Sequence, residues 1–380
     1  MPVVLGFSHH VLYGLHWKRM AVVAALCSLL LAGSASAGGP DEIGVYKVLP
    51  PIVRGNLAIF PVIGGESHDT SQFLTLDEGV RSGQVTITEA GDQRGLVRPG
   101  QPILRRQQGA EVNRLVLNNN SDRPLLLLAG EIVTGGKQDR VIGSDRIIPP
   151  DSGPLDLGVF CVEPGRWVAS SSKFGSMGAQ MAQPSVRTPA MAEQNQERVW
   201  DNVRRSNAQM ASNLSTNEAS VVAGTSSYAK VFASPPVQKM VADYGGAESE
   251  QAILRELRSD HAVGVVVAVN GRVLWADVFA STDLLAKYWP KLMPSYVAEA
   301  ITSASKGSAP DVRDAESYIF SLSGLREVAE TEPEVYRRTE RTGEGYQVFE
   351  LVSLLPKTNF LVHLAKAQVE KPEVRRGVLY

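Results

Sequence analysis

Residues 262–279 read AVGVVVAVNGRVLWADVF and contain the strongest local signal for secondary structure in the chain. Two valine-rich runs, Ala262 to Val269 and Arg272 to Phe279, flank the dipeptide Asn270-Gly271. β-Branched residues favour strands, and Asn-Gly favours the two-residue turn whose twist matches that of paired strands. The stretch therefore predicts a β-hairpin, which needs further strands beside it to be stable.

The first half of the chain has a related pattern. From Ile43 to about Trp167, short apolar runs alternate with turn residues, as is typical of an all-β layer. The candidate strands are Leu57 to Val62, Gln84 to Thr88, Arg114 to Leu117, Leu125 to Val133, Arg140 to Ile148 and Leu155 to Val162. One short helix is expected after Thr75, because Thr75 and Glu78 form a capping box and Gly83 stands where a helix would end.

The second half mixes helical and strand patterns. The predicted elements are helices over Gln194 to Ala211, Pro236 to Tyr244 and Glu248 to Ser259, a helix capped by Ser281 and interrupted by Pro290 and Pro294, and strands over Tyr346 to Leu355 and Asn359 to Ala367. The fold class that follows is α+β, with a β-rich sandwich-like or barrel-like core and a few packed helices.

The first 37 residues have the features of a secretion signal. The basic pair Lys18-Arg19, the apolar run from Ala21 to Ala32 and the tripeptide Ala35-Ser36-Ala37 predict cleavage after Ala37. The apolar run is shorter than the roughly 20 residues that a bilayer-spanning helix needs, and no later segment approaches that length. We therefore expect a secreted or periplasmic protein without a transmembrane segment after cleavage.

The rest of the chain is predicted to contain three further segments. Residues 43–304 are predicted to form one α+β domain, and residues 305–380 a C-terminal extension with a β-hairpin. Within the domain, residues 168–194 are rich in Ser, Gly, Met, Ala, Gln and Pro. Such a composition buries too little apolar surface to offset the entropy of ordering, so it predicts a mobile loop.

Charge and residue counts exclude several classes of protein. The formal net charge of −2 lacks the basic excess that nucleic-acid binding requires. Signal cleavage would leave one cysteine, Cys161, which falls at a core-facing strand position, and three widely spaced histidines, His68, His261 and His363. No intramolecular disulfide and no histidine-based metal site are predicted, and the sequence indicates no particular cofactor.

Two polar passages carry the candidate site residues. Residues 130–140 read GEIVTGGKQDR and residues 161–167 read CVEPGRW. They resemble the G-E-x-x-x-G-G-K-Q-x-R and C-V-E-x-G-R-W signatures of the ADP-ribosylglycohydrolase and rhodanese-phosphatase-associated protein domain family, and residues 264–292, ending in Trp-Pro-Lys-Leu, are similar as well. The resemblance covers about residues 45–304. Because the family is named after enzymes that process ADP-ribose and phosphate esters, it implies an anionic, nucleotide-derived or ADP-ribose-related ligand.

The Gly-Gly pair has a chemical interpretation of its own. Gly135-Gly136 after a strand allows backbone amides to converge into an anion-binding nest, and Lys137 and Arg140 add positive charge. It is not a P-loop, since Gln138 stands where Ser or Thr would bind magnesium. The alternative is a tight turn whose cations are solvated.

Glu131 and Glu163 are the candidate general bases. Glu131 falls in a continuous apolar run, where a carboxylate must be paired or protonated. The alternative for Glu131 is a structural salt bridge to a nearby cation, Lys137, Arg140 or Arg166. Glu163 and Arg166 follow a strand end, where ligand-contacting groups are common, and Trp167 can stack on a ligand ring or plug the sheet edge.

Three functions remain open at this point. The first is a binding module whose ligand-contacting residues are Gly135, Gly136, Lys137, Gln138, Arg140, Arg166 and Trp167. The second is a hydrolase in which Glu131 or Glu163 activates water. The third is a structural or interaction protein of the cell envelope that uses residues 168–194 for contact. The first two require that both polar passages meet in space.

Overall fold

The structure is a computed structural model that describes most of the chain beyond the predicted signal peptide, which lies outside the described residues. The described residues are 46–90, 113–166, 168–176, 180–244, 250–303, 310–321, 324 and 326–369. They form 17 strands and nine helices, which confirms a mixed α+β fold rich in β-structure.

The elements are numbered in chain order. The strands are β1 (Lys47–Val48), β2 (Ile52–Arg54), β3 (Leu57–Ile63), β4 (Leu74–Thr75), β5 (Val85–Glu89), β6 (Arg114–Asn119), β7 (Leu125–Leu127), β8 (Ile132–Val133), β9 (Arg140–Ile142), β10 (Arg146–Ile148), β11 (Ser152–Cys161), β12 (Ala262–Val269), β13 (Arg272–Phe279), β14 (Arg326–Glu332), β15 (Tyr336–Thr342), β16 (Tyr346–Ser353) and β17 (Leu361–Gln368). The helices are α1 (Leu76–Arg81), α2 (Pro184–Met191), α3 (Gln196–Ser212), α4 (Thr216–Ala223), α5 (Tyr228–Phe232), α6 (Pro235–Ala242), α7 (Glu250–Ser259), α8 (Thr282–Thr302) and α9 (Val312–Phe320).

A nine-stranded sheet is the largest unit of the fold. Its order is β1-β3-β12-β13-β17-β16-β15-β14, with β2 also paired to β3, and its pairs are antiparallel. The predicted hairpin is confirmed at its centre, where β12 and β13 join at Asn270-Gly271 and both turn residues have positive φ. Strand β12 is buried along its whole length, as its uninterrupted apolar sequence requires.

Two smaller sheets lie in the first half of the chain. The three-stranded sheet has the order β10-β7-β4 and the five-stranded sheet the order β5-β6-β11-β9-β8. Apolar side chains from both sheets, including Leu117, Leu127 and Val159, share one core cluster. On its other face, the five-stranded sheet packs against α2, α3 and α5. These sheets therefore position the ends of β9 and β11 close to the helices that follow them.

Helix α8 links the layers of the molecule. Its side chains pack in one cluster with residues of β3, β12, β13 and the three-stranded sheet, while α9 covers the opposite face of the nine-stranded sheet. The predicted cap is confirmed, since the Ser281 hydroxyl accepts a hydrogen bond from the Leu284 amide. The helix begins there because the cap satisfies an amide that lacks an intrahelical partner.

The sequence predicted that Pro290 and Pro294 interrupt this helix, and that prediction is wrong. Helix α8 runs through both residues. An interior proline costs about 3 kcal/mol because it removes an amide donor and crowds the preceding turn. Fourteen of the 21 residues of α8 are buried. Burying each large apolar side chain is worth about 1.5–3 kcal/mol, so tertiary packing outweighs the cost of two prolines.

Residues 168–194, for which the sequence predicted a mobile loop, include a helix. They contain α2, which begins at Pro184 and buries Val186, Ala190 and Met191. Proline suits the first position of a helix, because its missing amide hydrogen has no intrahelical partner there. The side chains of α2 join the core cluster below the five-stranded sheet, so distant strands supply the apolar contacts that this segment's own composition lacks.

The strands of the predicted C-terminal extension belong to the nine-stranded sheet. Strand β17 pairs with β13, β16 pairs with β17, and β15 and β14 continue the sheet outward. The sequence did not predict β14 and β15, whose sequences REVAETE and YRRTERT are strongly charged. No helix in the described part of the chain combines the length and the apolar character needed to cross a membrane.

Candidate functional site

The two polar passages meet beside the paired ends of β9 and β11 in the five-stranded sheet. Strands β9 and β11 pair so that Arg140 lies opposite Cys161, and the segment before β9 therefore adjoins the segment after β11. The Arg166 guanidinium donates from Nη1 to the Gly136 carbonyl at 2.9 Å and lies 3.5 Å from an Asp139 carboxylate oxygen. We call this group the signature cluster; its members are Gly135, Gly136, Lys137, Gln138, Asp139, Arg140, Glu163 and Arg166.

The backbone amides of the Gly-Gly turn bind acceptors of the chain itself. The Gly135 amide donates to Asp139 Oδ1 at 3.0 Å, and the Gly136 amide to Ser171 Oγ at 3.2 Å. The Lys137 amide donates to Glu89 Oε1 at 2.8 Å. The three amides thus donate to three different acceptors of the chain and do not converge on one anion as in the predicted nest.

Gly136 is required by this arrangement. Its φ of +49° lies in the left-handed region that side chains disfavour. A Cβ atom at this position would lie 2.3 Å from Phe174 Cζ and 2.5 Å from Glu89 Oε1. The chain can therefore bring the turn, the aromatic ring and the carboxylate together only with glycine here.

Glu163 is the centre of the charged contacts in the cluster. Its Oε2 lies 2.6 Å from Arg166 Nη2 and accepts from the Asp139 amide at 3.2 Å, and its Oε1 lies 3.2 Å from Lys230 Nζ. Burial acts to raise the pKa of Glu163, but the hydrogen bonds from Arg166, Asp139 and Lys230 together lower it. Glu163 is therefore a weaker base than an ordinary glutamate.

Arg140 and Asp139 are also buried in the cluster. Arg140 Nη1 donates to the Gln138 carbonyl at 2.6 Å, and Nη2 lies 3.8 Å from Glu89 Oε1. The Asp139 carboxylate accepts from Ser227 Oγ at 2.6 Å. Burial raises the pKa of Asp139 above its ordinary value.

Several polar groups of the cluster have no hydrogen-bond partner among the described residues. The Gln138 side chain is 0% exposed, and neither its amide nitrogen nor its amide oxygen is paired within the described ranges. The buried Nε of Arg166 is likewise unpaired there. Lys137 is half-buried and has no acid partner in the described part of the chain. These donors and the one acceptor are the groups through which a bound molecule could be recognised.

Glu131 does not join the signature cluster. It lies in the turn between β7 and β8, because the predicted strand Leu125 to Val133 is broken there. Its Oε1 is 2.6 Å from Lys291 Nζ on α8, and its Oε2 accepts from the Leu128 amide at 2.7 Å. Lys291 also pairs with the Asp77 carboxylate. Burial raises the pKa of Glu131, and its ion pair is with a lysine that the sequence analysis did not consider.

A second buried network was missed from the sequence. The Asp277 carboxylate accepts from Arg187 Nη1 and Nη2 at 3.0 and 3.1 Å, and from Trp275 Nε1 at 2.8 Å. It also accepts from the Tyr296 hydroxyl at 2.5 Å and faces His363 Nε2 at 3.2 Å. The one available signal was an aspartate inside the apolar run VLWADVF, since a buried carboxylate needs partners.

His363 links this network to the turn between β9 and β10. Its Nδ1 lies 2.6 Å from Asp145 Oδ2 and its Nε2 3.2 Å from Asp277 Oδ1. Ionised carboxylates only accept hydrogen bonds, so both ring nitrogens carry protons and the imidazole is cationic. Burial acts to lower the pKa of His363, but the two carboxylates raise it to about 9.

This geometry predicts that the protein loses stability at alkaline pH. The pKa of His363 is higher in the folded protein, about 9, than its ordinary value of 6.5, so its stabilising effect is complete below pH 6.5 and lost as the pH rises through 9. The loss amounts to about 3 kcal/mol. We expect the free energy of unfolding, measured by urea titration, to fall between about pH 7 and 9.5. A His363→Gln variant should be less stable at neutral pH and should lack most of this fall; an equal fall in both proteins would contradict the assignment.

The remaining predicted site residues have simpler positions. Cys161 is buried, and burial raises the pKa of its thiol to about 11, so the thiol is protonated at neutral pH. Trp167 lies outside the described residues. Across the described ranges there is no group of three or more His, Cys, Asp or Glu side chains placed to hold a metal ion.

Comparison with known proteins identifies the family. The model of the ARG and Rhodanese-Phosphatase-superfamily-associated Protein domain matches residues 45–365. The chain belongs to this family. The match reaches residue 365 instead of the 304 inferred from the motifs, so the domain includes the C-terminal strands of the nine-stranded sheet. Searches of curated proteins and of solved structures found no match.

Two of the passages that resemble this family are joined directly in the structure. Glu131 comes from the GEIVTGGKQDR passage, and Lys291 from the Trp-Pro-Lys-Leu passage on α8. Their ion pair places one passage against the other in the core of this ARG and Rhodanese-Phosphatase-superfamily-associated Protein domain. Glu131 and Lys291 therefore connect α8 to the passage that also supplies residues 135–140 of the signature cluster.

Proposed function

We propose that this protein is an exported binding protein whose ligand is an anionic small molecule held at the signature cluster. The observation that supports the proposal is the Gln138 side chain, which is fully buried with both amide atoms unpaired within the described ranges. A buried polar group without a partner costs about 1–3 kcal/mol. Folded proteins contain few such groups, and a bound molecule is one explanation for them.

The charges around Gln138 favour an anion. Four cations meet three carboxylates in and beside the cluster: Lys137, Arg140, Arg166 and Lys230 against Glu89, Asp139 and Glu163. The Gln138 amide nitrogen and Arg166 Nε can donate to an anionic group, and the Gln138 amide oxygen can accept from a hydroxyl or amine of the same ligand. A nucleotide-derived or ADP-ribose-related molecule has all of these groups.

The hydrolase alternative has less support. Both oxygens of Glu163 are engaged by cations or an amide, and its pKa is lowered. A general base works best with a pKa near the operating pH. Glu131 is 1% exposed and paired with Lys291. Neither carboxylate is placed to take a proton from water.

The Gln138→Met variant tests the proposal. We expect it to raise the free energy of unfolding by about 1–3 kcal/mol, because it removes unpaired buried polar atoms at similar volume. It should also abolish ligand binding. Thermal unfolding is measured with and without millimolar ADP-ribose, AMP or inorganic phosphate, since a ligand that binds only the native state raises the melting temperature.

Gln209→Met, at an exposed position on α3, is the matched control and should leave both stability and ligand response unchanged. If the unmodified protein responds to none of these anions, the proposal fails. It also fails if Gln138→Met keeps the full response.

A further inference from the structure

A separate cavity of about 550 Å³ opens between α2, α3 and the tip of the β12–β13 hairpin. Its volume lies within the roughly 300–1,000 Å³ that small-molecule sites occupy. None of its lining residues belongs to the signature cluster. It is therefore a second place where this protein could bind a ligand.

Three arginine side chains line this cavity. Arg198, Asn202 and Arg205 line it from α3 and share one face of that helix, since they are spaced at i, i+4 and i+7. Arg272 lines it from the start of β13, directly after the Asn270-Gly271 turn. The hairpin turn therefore sets a fourth polar side chain across from the helix.

Two of these arginines have no partner for their charge among the described residues. Arg198 Nε lies 2.5 Å from the Glu193 carboxylate, so that pair is neutral. Arg205 and Arg272 form no ion pair within the described ranges, and both are exposed. The cavity wall thus presents two uncompensated guanidinium groups.

We propose that this cavity binds a small molecule carrying a phosphate monoester, with Arg205 and Arg272 contacting the phosphate. Two unpaired cations match a dianion better than a singly charged carboxylate, and a phosphate monoester is largely dianionic at neutral pH. The planar guanidinium group donates two parallel hydrogen bonds to phosphate oxygens. Asn202 and Ser303, which also line the cavity, can bind hydroxyl groups on the rest of the molecule.

Two acids line the cavity, and neither opposes this assignment: Glu193 is paired with Arg198, and Glu299 is hydrogen-bonded to groups of the chain. Glu299 is 9% exposed, and its Oε2 accepts from the Ser185 amide at 2.9 Å and from Gln183 Nε2 at 3.2 Å. These two donors face the Glu299 carboxylate and partly offset its repulsion of an anion.

A neighbouring cavity of about 540 Å³ shares Arg272 with the first one. Its other charged lining groups are Asp314 and Lys366. The Lys366 ammonium donates to the Tyr318 and Ser321 carbonyls at 2.5 Å and lies over the Tyr346 ring. Lys366 is thereby held by neutral groups at the end of α9, whereas Arg205 lines only the first of the two cavities.

The test uses the whole protein and isothermal titration calorimetry with ribose 5-phosphate, inorganic phosphate and unphosphorylated ribose. We expect the protein to bind ribose 5-phosphate, and to bind ribose at least about tenfold more weakly because the charged contacts are lost. The Arg205→Gln/Arg272→Gln double variant should lose about tenfold or more in affinity for ribose 5-phosphate. Its melting temperature should be unchanged, since both positions are exposed.

Arg258→Gln is the matched control. Arg258 is exposed on α7, which precedes β12, whereas the cavity adjoins the other end of that strand, about 25 Å away. This variant should bind as tightly as the unmodified protein. No detectable binding of ribose 5-phosphate, or equal affinity of ribose and ribose 5-phosphate, would overturn the inference.

The two sites are distinguished by their variants. If ribose 5-phosphate binding survives Arg205→Gln/Arg272→Gln but is lost in Gln138→Met, the ligand occupies the signature cluster and the inference about this cavity is wrong. If binding is lost in the double variant and unchanged in Gln138→Met, the cavity site stands whatever the outcome at the signature cluster.

Discussion

Replacing Asp277 with asparagine should remove about 3–5 kcal/mol from the free energy of unfolding, which is the usual cost of deleting one partner of a buried ion pair. Arg187 and Asp277 are both 0% exposed, and His363 lies on the other side of the same carboxylate. The asparagine side chain would keep one acceptor oxygen for Trp275 and Tyr296 but would leave the guanidinium without a counter-charge. Because whole proteins are stabilised by about 5–15 kcal/mol, this variant is expected to be only marginally folded.

The measurement is urea unfolding followed by circular dichroism, in which the midpoint should fall while the slope stays constant. Asp201→Asn is the control, because Asp201 forms an exposed ion pair with Arg204 that is worth about 0–1 kcal/mol. The Asp277→Asn variant should also show a smaller loss of stability between about pH 7 and 9.5, since His363 loses one of its two carboxylates. Equal midpoints for the two variants would contradict the structural role of Asp277.

The Lys291→Met substitution should lower the free energy of unfolding by about as much as Asp277→Asn does. It leaves the carboxylates of Glu131 and Asp77 buried together without the ammonium that both contact, and the expected cost is about 3–5 kcal/mol at neutral pH. Burial already raises the pKa of Glu131, and without Lys291 it rises further above the unfolded value of about 4. An acid whose pKa is raised by folding destabilises the protein at pH values above its unfolded pKa, and this penalty disappears at lower pH. The free energy of unfolding of the variant should therefore differ less from that of the unmodified protein at about pH 5 than at about pH 7.

Lys287→Met is the matched control on the same helix face, one turn earlier. Lys287 is 31% exposed and lies 3.5 Å from Glu78, so its loss should cost under about 1 kcal/mol. The double variant Lys291→Met/Glu131→Gln should recover part of the stability, because one of the two uncompensated charges is removed. If Lys291→Met unfolds at the same urea concentration as Lys287→Met at both pH values, the ion-pair network does not support the fold.

The local elements of this protein follow from its sequence because their causes are local. Asn270-Gly271 specifies a turn whatever surrounds it, and the Thr75–Glu78 capping box needs only four consecutive residues. The convergence of the two polar passages also follows from the sequence once β9 and β11 pair, since both passages lie at strand ends. The turn and the capping box need no knowledge of strand order, whereas the convergence of the passages needs the pairing of β9 with β11.

The partners of the buried charges were decided only by the tertiary structure. Glu131 and Lys291 are 160 residues apart in the chain, and His363 and Asp145 are 218 apart. Which strand lies beside which determines these pairs, and no local pattern encodes that order. Helices α2 and α8 also depend on the tertiary structure. The composition of the α2 segment and the two prolines of α8 disfavour a helix, and burial against neighbouring layers stabilises both helices.

The amino-acid sequence alone thus determined the hairpin, the helix caps, the β-rich α+β class and the two passages of the signature cluster, because each depends on neighbouring residues. The fold decided that the Lys137 amide binds Glu89, that Glu131 pairs with α8, and that arginines from α3 and β13 line one cavity. The physical reason is desolvation, which makes the free energy of a buried charge depend on the groups within a few ångströms of it. Only the packing of distant elements determines which groups those are.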